Sequence, residues 1–197
     1  RRGADRQPGM TGPQSGISDA VLTARALGGD SAAYSQFVQR HQEPIYRFIR
    51  RYVGASDEAY DLVQETFVAA WQALRSYDPK RPAPAWLRRI ALNKCRDWSR
   101  RRSVRRFFYG ASSIDGLEVA AAPVGSETDA GVLARLDAAI AALPPSLKEP
   151  LLLTAFEGLS HQEAGSALGV SPKAIETRVY RARKLLVDAM RMDDATE

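Results

Sequence analysis

A single cysteine, Cys95, stands in this chain of 197 residues, so no disulfide can form within it. The two histidines, His41 and His161, lie far from that cysteine and from each other, so the usual zinc ligand clusters are missing. No metal and no other cofactor is expected. No window approaches about eighteen consecutive apolar residues, so no membrane-spanning helix and no membrane insertion are expected. No apolar stretch follows a basic start, so no secretory leader is expected either. These absences point to a reducing, cytoplasmic setting. Sustained alternation at period two is missing as well, which leaves no candidate sheet.

What is present is charge, laid out in blocks. The net charge is +5 and the isoelectric point about 9.6. Residues 52–74 carry no Lys or Arg and four acids: Asp57, Glu58, Asp61 and Glu65. Residues 75–106 hold twelve basic residues against Asp78 and Asp97, a net of +10. Residues 107–132 again carry only acids, and residues 171–191 return to a net of +4. Two separated basic blocks suit two contacts with one polyanion.

The periodicity predicts an all-α chain of two small helical units joined by a linker. Residues 1–16 are rich in Gly, Pro, Gln and Arg and are expected to be disordered, with Met10 a candidate natural start. The first unit is expected over 17–103. Two helices are predicted within 18–53, broken at Gly28-Gly29, with Asp30 or Ser31 capping the second. Pro44 predicts a kink or a break in it. A helix over 57–76 follows, with Val63, Phe67, Ala70, Trp71 and Leu74 as its apolar face. Three prolines within 79–84 then force a loop. A helix over 85–102 has Leu87, Ile90, Ala91, Cys95 and Trp98 on one stripe and Arg89, Asn93, Arg96 and Arg100 on another. Residues 104–131 read as linker, with Phe107, Phe108 and Tyr109 as docking candidates. The second unit is expected over 132–192, with helices over 132–143 and from Ser146 to about Glu157, closed by Gly158.

The most informative segment follows. Ser160 and Glu163 have the spacing of a capping box. Gly169 suits a left-handed turn, and Ser171-Pro172 suits the cap and first residue of a new helix. Ile175, Val179, Ala182 and Leu186 form the inner stripe of that helix. Lys173, Glu176, Thr177, Tyr180, Arg181 and Lys184 form the outer one. A short helix, a glycine turn and a second helix with a polar, basic outer face match the helix-turn-helix plan, whose second helix enters the major groove, with an ordinary αα-corner and a solvated outer face as the alternative. Glu176 is the exception on that face. It can accept from cytosine N4 or orient Arg181.

The run Leu159-Ser160-His161-Gln162-Glu163-Ala164-Gly165, then Leu168-Gly169-Val170-Ser171 and Ile175-Glu176-Thr177-Arg178-Val179-Tyr180-Arg181-Ala182-Arg183, resembles region 4 of bacterial sigma factors. The run Asp61-Leu62-Val63-Gln64-Glu65-Thr66-Phe67 with Trp71, then Trp86-Leu87-Arg88-Arg89-Ile90-Ala91-Leu92-Asn93 with Asp97, Arg100 and Arg101, resembles region 2. The two-domain layout is similar to the extracytoplasmic function (ECF) group. The resemblance implies a non-enzymatic subunit that binds core RNA polymerase and directs promoter recognition. It implies that Asp61, Gln64, Glu65 and Phe67 face the clamp helices of the largest polymerase subunit. Trp86, Arg89, Asn93, Arg96, Asp97, Arg100 and Arg101 would read and open the −10 element, with Asn93 at a flipped base. Ser171, Pro172, Lys173, Glu176, Thr177, Arg178, Tyr180, Arg181 and Lys184 would read the −35 element. An anti-sigma factor is the further partner expected by analogy. Ala164-Gly165 stands where the family usually has Ile-Ala, which implies looser packing there.

Taken singly, Trp71 and Trp98 are expected in the core, and Trp86 suits either the core or DNA. Phe67 is shared between core and partner. Cys95 reads as a small buried hydrophobe, and both histidines as surface residues. A stand-alone helix-turn-helix regulator would leave the Asp61–Trp71 helix unexplained. A metal-dependent nuclease would need clustered carboxylates that the sequence does not offer.

Overall fold

The computed structural model describes residues 17–109 and 129–194. The expected disorder of 1–16 and the docking of Phe107 to Tyr109 lie outside the described residues and side chains. Eight α-helices run in chain order among the described residues: α1 (Asp19–Leu27), α2 (Ser31–Val53), α3 (Ser56–Ala73), α4 (Ala83–Tyr109), α5 (Asp129–Ala142), α6 (Pro145–Leu151), α7 (His161–Leu168) and α8 (Pro172–Asp194). A 3₁₀ turn (Leu74–Ser76) extends α3, and a π-helical turn (Leu152–Phe156) extends α6. No strand occurs among the described residues.

Helices α1 to α4 form the first bundle. Ser18 caps α1 by accepting from the Val21 N–H at 3.4 Å. Asp30 caps α2 by accepting from the Ala33 N–H at 3.0 Å and pairs with Arg25 at 2.6 Å. These bonds hold the Asp30 carboxyl below its usual range, the Ala33 N–H most of all. Helix α2 runs through Pro44 without a break. Pro44 sits on the exposed face, where water can serve the carbonyl its ring deprives of a partner. Helix α2 stops at Gly54, whose φ of +83° is left-handed.

Phe67, Ala70 and Leu74 of the expected apolar face are buried, but the buried face of α3 is rotated away from Val63 and Trp71. Ala59, Leu62, Thr66, Phe67 and Ala70 face inward. Trp71 is 45% exposed and meets Tyr34 edge-on at 4.7 Å. Thr66 can take an inner position because its hydroxyl donates to the Leu62 carbonyl at 2.6 Å, so the buried hydroxyl is paired. His41 is also a correction. It is buried, with Nε2 2.9 Å from Asp19 Oδ2. Its partner comes from another helix, which sequence separation conceals.

Helices α5 to α8 form the second bundle, with α6 and α7 both packed on α8. Helix α6 begins at Pro145, one residue before the expected Ser146. Helix α4 continues to Tyr109 and α5 starts at Asp129, so both ends of the segment read as linker are helical. Nothing from 104 to 109 breaks a helix, and Arg is a good helix former. Residues 110–128 lie outside the described residues.

One core runs through both bundles. Phe37, Phe48, Tyr52, Leu87 and Cys95 of the first join Ile140, Leu151, Leu152 and Ile175 of the second. Cys95 is buried as expected, and burial pushes its thiol pKa far above normal. Among the described residues no helix is long and apolar enough to cross a membrane.

Candidate nucleic-acid interface

The helix-turn-helix is built as its sequence predicts. Ser160 Oγ accepts from the Glu163 N–H at 3.2 Å, and Glu163 Oε2 accepts from the Ser160 N–H at 2.8 Å. The Ser160 hydroxyl, also donating to Glu163, holds that carboxyl below its usual pKa. Gly169 ends α7 with φ +71°. The chain then doubles back, and the Val170 N–H donates to the Gly165 carbonyl at 3.0 Å. Gly165 is not a loose point. A Cβ there would lie 2.7 Å from the Val170 carbonyl oxygen, so the turn presses directly on α7. Ser171 Oγ then accepts from the Ala174 N–H at 3.2 Å, and α8 begins at Pro172.

Helix α8 buries Ile175, Val179 and Ala182. It exposes Lys173, Glu176, Thr177, Tyr180, Arg181 and Lys184, while Arg178 is half-buried. Tyr180 is 70% exposed, unusual for an aromatic ring on a folded surface. Glu176 does not reach Arg181. It pairs with Lys173 at 2.9 Å, and that ammonium lowers its pKa. The Thr177 hydroxyl donates to the Lys173 carbonyl at 2.9 Å.

The basic side chains of α4 are largely held by acids of the same molecule. Lys94 and Arg101 reach Glu65 of α3 at 3.5 and 3.8 Å. Arg100 pairs with Asp97. Arg102 lies over the Trp98 ring at 5.2 Å. Arg96 is half-buried on a carboxylate of the second bundle, Glu149. Arg89 and Asn93 are exposed. Trp86 is half-buried and packs on Tyr77 with ring centres 4.8 Å apart, so it supports the loop before α4. The start of α4 and helix α7 line one cleft of about 1110 Å³, floored by Leu92, Leu153 and Leu159 and edged by Arg81, Arg89 and Glu163.

On α3, Asp61 and Gln64 are exposed and Glu65 is half-exposed toward α4. Phe67, expected to be shared between core and partner, is only 6% exposed, so its core role is the one the packing bears out. Its place on the outer surface is taken by Val68 and Trp71, which continue the Asp61–Gln64 stripe along the helix. Sequence reading missed Val68 because one valine on a polar stripe carries no signal.

Sequence reading also missed the seam between the bundles. Lys148 and Glu149 are both buried there. Arg51 lies over the Phe156 ring at 4.4 Å and comes within 3.9 Å of Asp137. Arg88 pairs with Glu157 at 2.5 Å. The available sign was a Lys-Glu pair set inside an apolar run, between Leu147 and Leu151. Among the described residues no cluster of His, Cys, Asp or Glu could hold a metal ion.

Comparison with known proteins agrees with this geometry. Residues 37–105 match sigma-70 region 2, and residues 133–186 match sigma-70 region 4. The sigma factor CnrH of Cupriavidus metallidurans is 42% identical over 176 residues, covering 86% of this chain and 92% of that protein. In its solved complex with the cytosolic domain of CnrY, CnrH superposes with a TM-score of 0.62 at 36% identity, covering 89% of this chain and 98% of that one. The ECF sigma factor SigE of Mycolicibacterium smegmatis is 34% identical over 81% of this chain and 63% of its own length. RpoE of Bartonella quintana, solved with the anti-sigma factor NepR, gives a TM-score of 0.64 at 26% identity, covering 81% of this chain and 98% of that one. Two matched regions in order, on two bundles that carry the corresponding helices, establish that this chain belongs to the sigma-70 family of RNA polymerase sigma factors, within the ECF group.

Proposed function

We propose that this chain is a promoter-specificity subunit that binds core RNA polymerase and directs transcription initiation. The observation that carries this reading is the pairing, in one chain, of an acid-and-apolar partner face on α3 with a solvent-facing recognition helix, α8. In this reading Asp61 and Gln64, with Val68 and Trp71 beside them, meet the clamp helices of the largest polymerase subunit. Helix α8 enters the major groove at the −35 element, with Thr177, Tyr180 and Arg181 toward bases and Lys173, Arg178 and Lys184 toward phosphates. Helix α4 takes the opened −10 strand. Asn93 meets an unstacked base, and Arg89, Arg96, Arg100 and Arg101 meet the backbone. Unstacking costs a few kcal/mol per base step, and captured single strand offsets that cost. The polymerase holds the two units at promoter spacing, so two weak contacts act as one strong one.

The chain itself is not an enzyme in this reading, since polymerisation belongs to the core. It acts in the cytoplasm, on nucleoid DNA when active. RpoE was solved with an anti-sigma factor, and a protein of that kind is the negative regulator we infer here.

Run-off transcription tests the proposal. Core polymerase plus this chain is expected to give discrete transcripts from genomic promoter fragments. Asp61→Ala/Gln64→Ala is expected to remove them together with core binding. Tight, specific duplex binding by the free chain, with no core binding and no transcript, would favour a stand-alone regulator instead.

A further inference from the structure

We propose that the free chain is latched shut by Glu149, which holds Arg96 in the way a DNA phosphate would, so that packing of the second bundle and strand capture by Arg96 exclude one another. The inference rests on the reading of α4 as the −10 helix.

The contact is a two-pronged fork. Arg96 Nε lies 2.9 Å from Glu149 Oε1, and Arg96 Nη2 lies 2.6 Å from Oε2. A guanidinium offers this fork equally well to a carboxylate or to a phosphate, but not to both at once. The Tyr52 hydroxyl adds a third donor to Glu149 at 3.3 Å. Glu149 comes from α6, whereas Arg96 and Tyr52 come from α4 and α2.

The surroundings show a built seam. Beside Glu149, Lys148 donates to the Tyr52 carbonyl at 2.9 Å and to the Ala141 carbonyl at 2.5 Å. Those carbonyls lie in the last turns of α2 and α5, where a cation also suits the helix dipoles. The backbones close tightly. A Cβ on Gly54 would sit 2.6 Å from Ala141 Cβ. If Arg96 left for DNA while the seam stayed closed, Glu149 would remain buried without its ion partner, a costly state. Strand capture therefore requires the bundles to part and Glu149 to be hydrated. The recognition face of α8 stays exposed in the closed form, so the latch withholds −10 capture and not −35 contact.

A closed protein binds strand only through its open fraction, and its apparent affinity falls by that fraction. The test measures opening and capture separately in the full chain. Donor and acceptor dyes are placed on the exposed positions Gln42→Cys and Asp188→Cys. Buried Cys95 stays unlabelled. Strand capture is read with a fluorescent oligo-dT 12-mer. Glu149→Gln is expected to lower transfer efficiency and tighten oligonucleotide binding about tenfold. Ala141→Leu wedges the seam without touching Arg96 or Glu149 and is expected to do the same. Adding Arg96→Ala to Glu149→Gln is expected to remove the tightening.

Equal transfer in wild type and both variants would overturn the latch. Lower transfer with unchanged oligonucleotide affinity would overturn the masking of Arg96. Run-off transcription with Arg96→Ala separates these failures from failure of the −10 reading. Intact transcription would show that Arg96 does not hold the strand, and the proposal would fall with that reading.

Discussion

Lys148 of α6 lies with its ammonium 2.9 Å from the carbonyl oxygen of Tyr52, at the end of α2 in the other bundle. The same ammonium is buried, and burial pushes its pKa down to about 8. Tyr52, Cys95, Glu149 and Arg102 are the titratable and charged groups around it.

A pH dependence follows from that contact. The packed form holds fewer protons than the unfolded form between about pH 8 and the usual lysine value of 10.5. Stability therefore rises with pH across that window and gains nothing from this group below it. The full gain is on the order of 3 kcal/mol at about 1.4 kcal/mol per unit. Urea unfolding of wild type and Lys148→Met at pH 7 and pH 10 is expected to show the gain in wild type alone. A gain of equal size in the variant would assign it to other groups.

Burial separates two residues of α3 that sequence reading had grouped. Phe67→Ala is expected to cost about 3–5 kcal/mol in stability, because it empties a core position. Asp61→Ala, on the exposed face, is expected to change stability by less than about 0.5 kcal/mol while weakening core polymerase binding. Thermal melts and a core-binding titration on both variants check this. A stable Phe67→Ala protein that fails only in core binding would restore Phe67 to the partner face.

Arg181 is exposed on the outer stripe of α8. Since the reading above turns it toward bases, the loss in Arg181→Ala is expected to concentrate at one position of the −35 element, by about 1–3 kcal/mol. A uniform loss over all promoters, with the salt dependence lowered by about one counterion, would move Arg181 to a phosphate. Binding measured over a series of salt concentrations and single-base promoter variants distinguishes the two.

The cap of α7 offers a local test. Ser160→Ala removes the acceptor for the Glu163 N–H and is expected to cost about 1 kcal/mol. Glu163, whose carboxyl the Ser160 hydroxyl holds low, contributes stability that disappears as pH falls through its folded pKa. Melting curves from pH 7 down to pH 3 should show this acid sensitivity in wild type and less of it in Ser160→Ala. Equal acid profiles would mean that the cap does not hold the carboxylate in solution.

Cys95 is expected to resist thiol reagents in the native chain and to react only on unfolding, since the thiolate that reacts is suppressed by burial. Ellman's reagent with and without denaturant measures this directly. Rapid native labelling would show that the core around α4 opens readily.

The local elements of this protein were determined by local chemistry. The Ser160–Glu163 cap, the left-handed Gly169 and the outer stripe of α8 depend on neighbours within a few residues, and spacing alone specifies them. The Arg89–Asn93–Arg96 stripe of α4 was legible for the same reason. The tertiary structure decided which members of those stripes are available. His41 is buried because Asp19 comes to it, and Thr66 goes inside because its hydroxyl is satisfied by its own helix. Phe67 turns inward while Val68 and Trp71 stay outside, a rotation smaller than apolar periodicity resolves. Above all, only three-dimensional packing joins Arg96 to Glu149, 53 residues away, and Lys148 to Tyr52, 96 residues away. A charge in sequence carries no record of the partner that will neutralise it, because the Coulomb energy depends on distance in space and on burial, and both are set by the fold.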